Sequence, residues 1–124
     1  MNPDALFALT DPQRPEHAST SYYFLEVERS REAGYRDGRS ILLHRLQRYA
    51  EYQGSPACRD DWEWFDEFRV VIVVATEARR GNLLARLSAE LPLPMFWIGV
   101  EGADLMTPVF RAPGDGERRY SFLD

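Results

Sequence analysis

The spacing of apolar residues predicts two strands and then a helix in the first half of the chain. Residues 5–10 and 21–29 are rich in aliphatic and aromatic side chains, and the polar segment between them contains Pro12 and Pro15. Because prolines and polar residues of this kind mark turns and hairpin loops, we expect the two strands to pair antiparallel. From residue 40 to residue 53, apolar side chains recur three or four positions apart, which predicts an amphipathic helix.

The second half of the chain contains the strongest strand pattern. Residues 68–76 are almost wholly β-branched and apolar from Val70 on, which is typical of a central strand that is covered on both faces. A second helix is predicted to begin near Thr76 and to end before Pro92. Residues 95–100 predict a further strand, and the tail, residues 108–124, predicts a loop or a short edge hairpin.

The order of these elements, β-β-α-β-α-β, predicts one α/β domain over residues 1–124. We expect a mixed central sheet with flanking helices, because two strands joined through a helix normally lie parallel in the same sheet. A chain of 124 residues is the size of a single domain.

Composition narrows the classes of function. The formal net charge of −5 disfavours a generally basic nucleic-acid binder, since counterion release needs clustered cations. All fifteen basic residues are arginine, so no lysine can act as a catalytic base. The single Cys58 excludes an internal disulfide, and the small number of histidines disfavours a Cys/His zinc site. No apolar run is long enough to span a bilayer, and we expect a soluble cytoplasmic protein.

Two carboxylates interrupt the second predicted strand. Glu26 and Glu28 are two residues apart and therefore point to the same face, about 7 Å from each other. Burial of an ionised carboxylate is costly unless a cation, a metal or hydrogen-bond donors compensate it. If the first two strands pair, Asp4 converges with these acids at one edge of the sheet. Oxygen ligands clustered in this way suit Mg²⁺ or Mn²⁺.

Ion pairing is the alternative explanation of the same acids. Glu26 would be compensated by an arginine of the following helix, such as Arg45, in a purely structural role. Asp4 would then be a turn residue, and Glu28 would be solvated at the end of its strand. The sequence leaves both explanations open.

Three arginines are candidate contacts to nucleic acid. Arg79 and Arg80 lie at the predicted start of the second helix, where the helix N-terminus adds partial positive charge. Arg45, on the first helix, is the third candidate. Adjacent arginines at a helix start are also commonly no more than solvated surface charge.

The ordered set of motifs resembles a known nuclease superfamily. Pro3-Asp4, followed by Glu26-Val27-Glu28 on a strand that precedes a helix, resembles the motif of the PD-(D/E)XK nucleases. The resemblance implies a restriction-endonuclease-like fold and metal-dependent phosphodiester hydrolysis. In that activity Asp4 and Glu26 would hold the ion, and Glu28, which stands at the position of the motif lysine, would assist the attacking water.

A narrower resemblance is to the plasmid replication-relaxation proteins. Segments 3–7 and 23–29, the helix with Tyr49 and Tyr52, and segment 68–71 are similar to their counterparts in that family. The similarity covers roughly residues 3–100. Those proteins come from bacterial plasmids and mobile elements and typically carry a winged-helix DNA-binding region ahead of the Pro-Asp motif. This sequence starts at the motif, and two interpretations stay open: an excised domain whose DNA contact is made through a separate domain, or a short stand-alone relative.

A non-catalytic module is the competing hypothesis. The same fold would then serve protein–protein interaction or homodimerisation, through the acidic aromatic segment around Trp62 and Trp64 and through a tail that looks exposed. An unrelated small α/β regulatory protein, in which the acids are incidental, is the third hypothesis.

Overall fold

The computed structural model describes residues 4–10, 12–13, 20–28, 35–36, 39–53, 68–102, 109–114, 118–120 and 122. The strands in these ranges are β1 (Ala5–Thr10), β2 (Thr20–Val27), β3 (Tyr35–Arg36), β4 (Arg39–Ser40), β5 (Arg69–Val74) and β6 (Phe96–Val100). The helices in the same ranges are α1 (Ile41–Gln53) and α2 (Glu77–Glu90).

Four strands form a mixed sheet in the order β1-β2-β5-β6. β1 and β2 pair antiparallel, whereas β2 and β5, and β5 and β6, pair parallel. The predicted α/β domain with a mixed sheet and two helices is thereby confirmed. β3 and β4 form a separate short antiparallel hairpin ahead of α1. The sequence does not predict this hairpin, because strands of two residues leave no periodicity to detect.

The central position of β5 explains its unbroken apolar sequence. β5 lies between β2 and β6, and its side chains alternate between two hydrophobic clusters on opposite faces of the sheet. Val70 and Ile72 enter one cluster, and Val71 enters the other. Both faces therefore need apolar residues, as the sequence predicts.

Both helices cover one face of the sheet. Leu46 and Tyr49 of α1 are buried in the same cluster as Leu84 and Leu87 of α2. α2 begins after Thr76, whose hydroxyl oxygen accepts a hydrogen bond from the backbone N–H of Arg79 at 3.2 Å. This is an ordinary N-cap, which satisfies one of the backbone donors left unpaired at a helix start. In the described part of the chain, no helix is long and apolar enough to cross a membrane.

The opposite face carries an aromatic layer to which the tail contributes. Phe110 stacks on Trp97 with ring centroids 5.7 Å apart, and Tyr120 stacks on the same Trp97 at 5.2 Å. The expectation of an exposed tail is wrong for Phe110, which is buried. Gly99 leaves the space for this ring, because a Cβ atom there would lie 2.9 Å from Cε1 of Phe110.

Backbone hydrogen bonds hold the tail along the outer side of β6. Arg111 and Ile98 exchange two of them, with N–O distances of 2.9 and 3.0 Å. Phe110 and Tyr120 exchange two more, at 3.0 and 2.8 Å. The tail thus pairs in the manner of an edge hairpin and covers the β6 edge of the sheet.

Candidate functional site

The predicted acidic residues gather at the carboxyl end of β2. Pairing with β5 continues one residue past the strand, since the backbone N–H of Glu28 donates to the carbonyl of Val73 at 2.9 Å. Side chains alternate along a strand, so Glu26 and Glu28 share the face on which Phe24 packs among helix residues. The site therefore lies where the helix-covered face meets one end of the sheet.

Glu26 is a buried carboxylate that is compensated from α1. Only 3% of the residue is exposed, and its Oε1 accepts hydrogen bonds from Arg45 Nη2 at 2.7 Å and from the Tyr49 hydroxyl at 2.6 Å. Arg45 and Tyr49 are four residues apart, so both lie on one side of the helix. The sequence leaves ion pairing with Arg45 open as the alternative to metal binding by Glu26, and this ion pair is present in the structure.

The protonation states of these partners support the same arrangement. Burial raises the pKa of Tyr49 far above its ordinary value, and the hydrogen bond to Glu26 raises it further. Burial, the largest single influence, acts to lower the pKa of Arg45. The attraction of Glu26, the hydrogen bond to Glu26 and the interaction with Tyr49 together outweigh burial, and the net pKa is raised. At neutral pH the phenol is thus a protonated donor and the guanidinium is a cation.

Glu28 is paired with the second helix. Its Oε1 lies 2.6 Å from Nη1 of Arg79, and both side chains are partly buried. Arg79 sits in the first turn of α2. A carboxylate near a helix N-terminus is also favoured by the helix dipole. Glu28 therefore links the end of β2 to the start of α2.

Asp4 is held against the same end of β2 by backbone contacts. Its own N–H donates to the carbonyl of Leu25 at 3.0 Å, and its Oδ2 accepts from the N–H of Val27 at 2.8 Å. The β1–β2 register pairs Ala5 with Leu25, so Asp4 follows on beside Glu26. The structure thus brings Asp4, Glu26 and Glu28 to one end of β2, as the sequence predicts.

Arg80 does not fit its predicted role as a nucleic-acid contact. Only 2% of the residue is exposed. Its Nη2 contacts both carboxylate oxygens of Glu77, at 2.6 and 2.7 Å, and its Nη1 donates to the carbonyl of Val109 at 2.6 Å. Arg80 therefore fixes the tail to the start of α2. Its position four residues before buried Leu84 is the signal in the sequence, because this spacing puts it on the inner side of the helix.

The oxygen atoms of the acids do not form a ready-made metal site. Oδ2 of Asp4 is engaged by the Val27 amide, and Oε1 of Glu26 is engaged by Arg45 and Tyr49. Among the residues that the structure describes, no group of three or more His, Cys, Asp or Glu side chains could hold an ion. Because a guanidinium already neutralises Glu26, a divalent ion would have to compete with it. We therefore assign no chemical step to a metal.

The Tyr49 hydroxyl is a site group that the sequence does not reveal. Tyr49 is predicted only as an aromatic residue of the first helix, whereas its hydroxyl is a direct partner of Glu26. The spacing of four residues from Arg45 is the signal that could have revealed it. Trp62, Trp64 and Cys58 lie outside the described residues.

Comparisons of this chain with protein-family models, with curated proteins and with solved structures gave no match.

Proposed function

We propose that this chain is a DNA-associated α/β module of the plasmid replication-relaxation type, whose acidic motif serves as a structural ion-pair network. The observation that carries the structural role of the motif is the buried Glu26, with Arg45 and Tyr49 both bound to its Oε1. A buried carboxylate with two good donors is a stabilising connection between strand and helix. Its catalytic use would require breaking that connection.

The order of elements supports a restriction-endonuclease-like core. The Pro-Asp motif precedes β1, and Glu26-Val27-Glu28 lies at the end of β2. The short β3–β4 hairpin and then α1 follow in the described part of the chain. β1 and β2 are antiparallel, and two parallel strands follow. The finer fold assignment, like the family, is part of the proposal.

The state of Glu28 favours a module without hydrolytic activity. Glu28 stands at the position of the motif lysine, and its Oε1 accepts a hydrogen bond from Arg79 at 2.6 Å. A cation at this position would stabilise negative charge on a phosphodiester, whereas a carboxylate would repel it. The site contains three acids and two arginines, so it carries one net negative charge. Arg45 pairs with Glu26 and Arg79 pairs with Glu28.

Arg45 and Arg79 are the arginines through which the module would contact DNA. A guanidinium has five N–H donors, so an arginine that is anchored to a carboxylate can still donate to a phosphate. The Arg45 side chain is 41% exposed, and Arg79 is partly exposed. The anchoring carboxylates hold both side chains in place, which reduces the entropy lost on binding.

A metal-dependent phosphodiesterase is the second candidate. The observation in its favour is that Asp4 is fixed beside Glu26, and these are the two acids that the motif assigns to the ion. In this alternative Arg45 would have to turn away from Glu26 and leave the carboxylate to the metal.

One experiment separates the two candidates. Mn²⁺ and Mg²⁺ are titrated by calorimetry into the chain and into the variant Glu26→Gln, and cleavage of supercoiled and single-stranded DNA is assayed in parallel. We expect no specific metal binding, no rise in Tm with metal and no cleavage. Metal binding together with cleavage, both lost in Glu26→Gln, would instead establish the phosphodiesterase.

DNA association is tested separately by fluorescence anisotropy with labelled single-stranded and duplex oligonucleotides at low salt. We expect binding that Arg45→Gln and Arg79→Gln weaken, each with a salt dependence reduced by about one phosphate contact. Arg48→Gln is the matched control, because Arg48 lies on α1 and is exposed. Absence of binding by the wild-type chain would overturn the DNA-associated part of the proposal.

A further inference from the structure

The exposed large apolar side chains of the described residues are confined to one edge of the sheet. They are Leu6, 42% exposed, and Leu9, 38% exposed, and both belong to β1. Ala5 and Ala8 of the same strand are exposed as well, and Phe7 is half-buried. β1 is the edge strand beside β2.

Among the residues that the structure describes, this edge shows none of the features that usually prevent a strand from pairing further. β1 contains no charged residue and no proline. Its register with β2 runs without a bulge from Ala5, opposite Leu25, to Thr10, opposite Thr20. Charges, prolines, bulges and covering segments are the ordinary ways in which edges are protected. The β6 edge has such a covering segment in the tail, through Arg111.

We propose that β1 is a homodimer interface, in which it pairs antiparallel with β1 of a second copy about a two-fold axis at Phe7. The two sheets then join into one continuous sheet across the dimer. Such an interface is isologous, so β1 must be complementary to itself.

The sequence of β1 meets this requirement. With Phe7 opposite its own copy, Leu6 faces Ala8 and Leu9 faces Ala5, so each exposed leucine lies beside an exposed alanine. A large side chain next to a small one packs without collision. Opposite positions in this register point to the same face of the sheet, as the two-fold axis requires.

Charge does not oppose a second copy at this edge. Each copy has a net charge of −5, so two copies repel each other over most of their surfaces. β1 carries no charge, and Asp4 at its start falls opposite Thr10 of the second copy. No like charges therefore meet across the interface.

The small size of the interface sets its expected strength. A pair of six-residue strands covers less surface than the roughly 1,200 Å² or more of a stable specific interface. We therefore expect a reversible dimer with a Kd of roughly 10–100 μM.

Sedimentation equilibrium over a concentration series from roughly 5 to 500 μM, a range that brackets this Kd, is the test. We expect the average mass of the wild-type chain to rise from monomer toward dimer. Ala8→Glu puts a charge opposite Leu6 and should reduce association at least tenfold. Ala85→Glu, at an exposed alanine on α2, is the matched control and should associate as the wild type does. Circular dichroism melts establish that each variant is folded.

The double variant Leu6→Arg/Ala8→Glu tests the register. It places an arginine opposite a glutamate twice across the two-fold axis and should restore association. A wild-type chain that stays monomeric throughout the series overturns the proposal, and so does a dimer that Ala8→Glu leaves unchanged. A dimer that is lost in Ala8→Glu and is not restored in the double variant overturns the register at Phe7.

Discussion

Glu26 and Glu28 stand two residues apart at the carboxyl end of β2, and their charges are compensated in different ways. Glu26 is buried and receives two hydrogen bonds, from Arg45 and Tyr49 of α1. Glu28 lies just beyond β2, is partly exposed, and pairs with Arg79 in the first turn of α2. Water can compensate part of the charge on Glu28, whereas Glu26 depends on protein donors.

This difference shows how position along a strand determines what a carboxylate needs. Inside the strand, the neighbours of Glu26 on the same face are core residues such as Phe24, so the charge must be neutralised within the fold. At the end of the strand, water already solvates part of the Glu28 carboxylate, and Arg79 only adds to this stabilisation. Loss of a partner of Glu26 should therefore reduce the free energy of unfolding more than loss of the partner of Glu28.

Arg45→Met should have the largest effect, because it leaves Glu26 buried beside Tyr49 alone. We expect a loss of about 2–3 kcal/mol in the free energy of unfolding. This is less than the loss for a fully enclosed pair, since 41% of the Arg45 side chain reaches solvent. Urea unfolding at pH 7 measures it.

Arg48→Met is the control for this variant. Arg48 lies on the same helix and is exposed, so its replacement should change the free energy of unfolding by less than about 0.5 kcal/mol. Equal effects of the two variants would contradict the assignment of Glu26 as a buried charge that needs Arg45.

Tyr49→Phe should have the next largest effect. The phenyl ring keeps its packing against Phe24 and Phe68, while the hydrogen bond to the Glu26 carboxylate is lost. Removal of a bond to a charged acceptor costs about 1.5–2 kcal/mol. The same urea measurement checks this value. A loss below about 0.5 kcal/mol, the size of an ordinary surface substitution, would mean that Arg45 alone suffices for Glu26.

The stability advantage of wild type over Tyr49→Phe should decrease at alkaline pH. Burial raises the pKa of Tyr49 in the folded protein, while an unfolded tyrosine titrates near about 10. The unfolded state therefore releases its proton first as the pH rises. The contribution of Tyr49 is complete below about pH 10 and is lost progressively above it, by about 1.4 kcal/mol at pH 11.

Urea unfolding of both proteins between roughly pH 8 and pH 11, a range that spans this titration, measures that decrease. The remaining tyrosines are common to both chains, and the absence of lysine removes the other main group that titrates in this range. A gap in unfolding free energy that stays constant with pH would show that the phenol does not stay protonated in the folded state.

The sheet could be predicted from the sequence because its pattern is local. Residues 70–74 are β-branched without interruption and form the core of β5. α1 could be predicted from the spacing of Leu46 and Tyr49, and both residues are buried on the inner side of the helix. In both cases the neighbouring residues of one segment carry the whole signal.

The site could be predicted only in part, because its compensation comes from distant segments. The acids of β2 are evident, and their common face follows from strand geometry. Nothing in the segment itself distinguishes a metal from Arg45 as the partner of Glu26, since that depends on how α1 packs on the sheet. Adjacent Arg79 and Arg80 also look alike in sequence, yet the turn of the helix directs one toward Glu28 and buries the other.

Disruption of the Glu28–Arg79 pair should have the smallest effect and so completes the contrast with Glu26. Arg79→Met is expected to reduce the free energy of unfolding by about 0.5–1 kcal/mol, because both side chains reach solvent and water can replace the lost partner. A double-mutant cycle with Glu28→Gln isolates the pair, and we expect a coupling energy of about 0.5 kcal/mol that falls further at high salt. The cycle of Glu26→Gln with Arg45→Met should give a coupling at least twice as large and less sensitive to salt. If the two couplings are equal, burial does not distinguish the two carboxylates, and solvent reaches Glu26 as readily as it reaches Glu28.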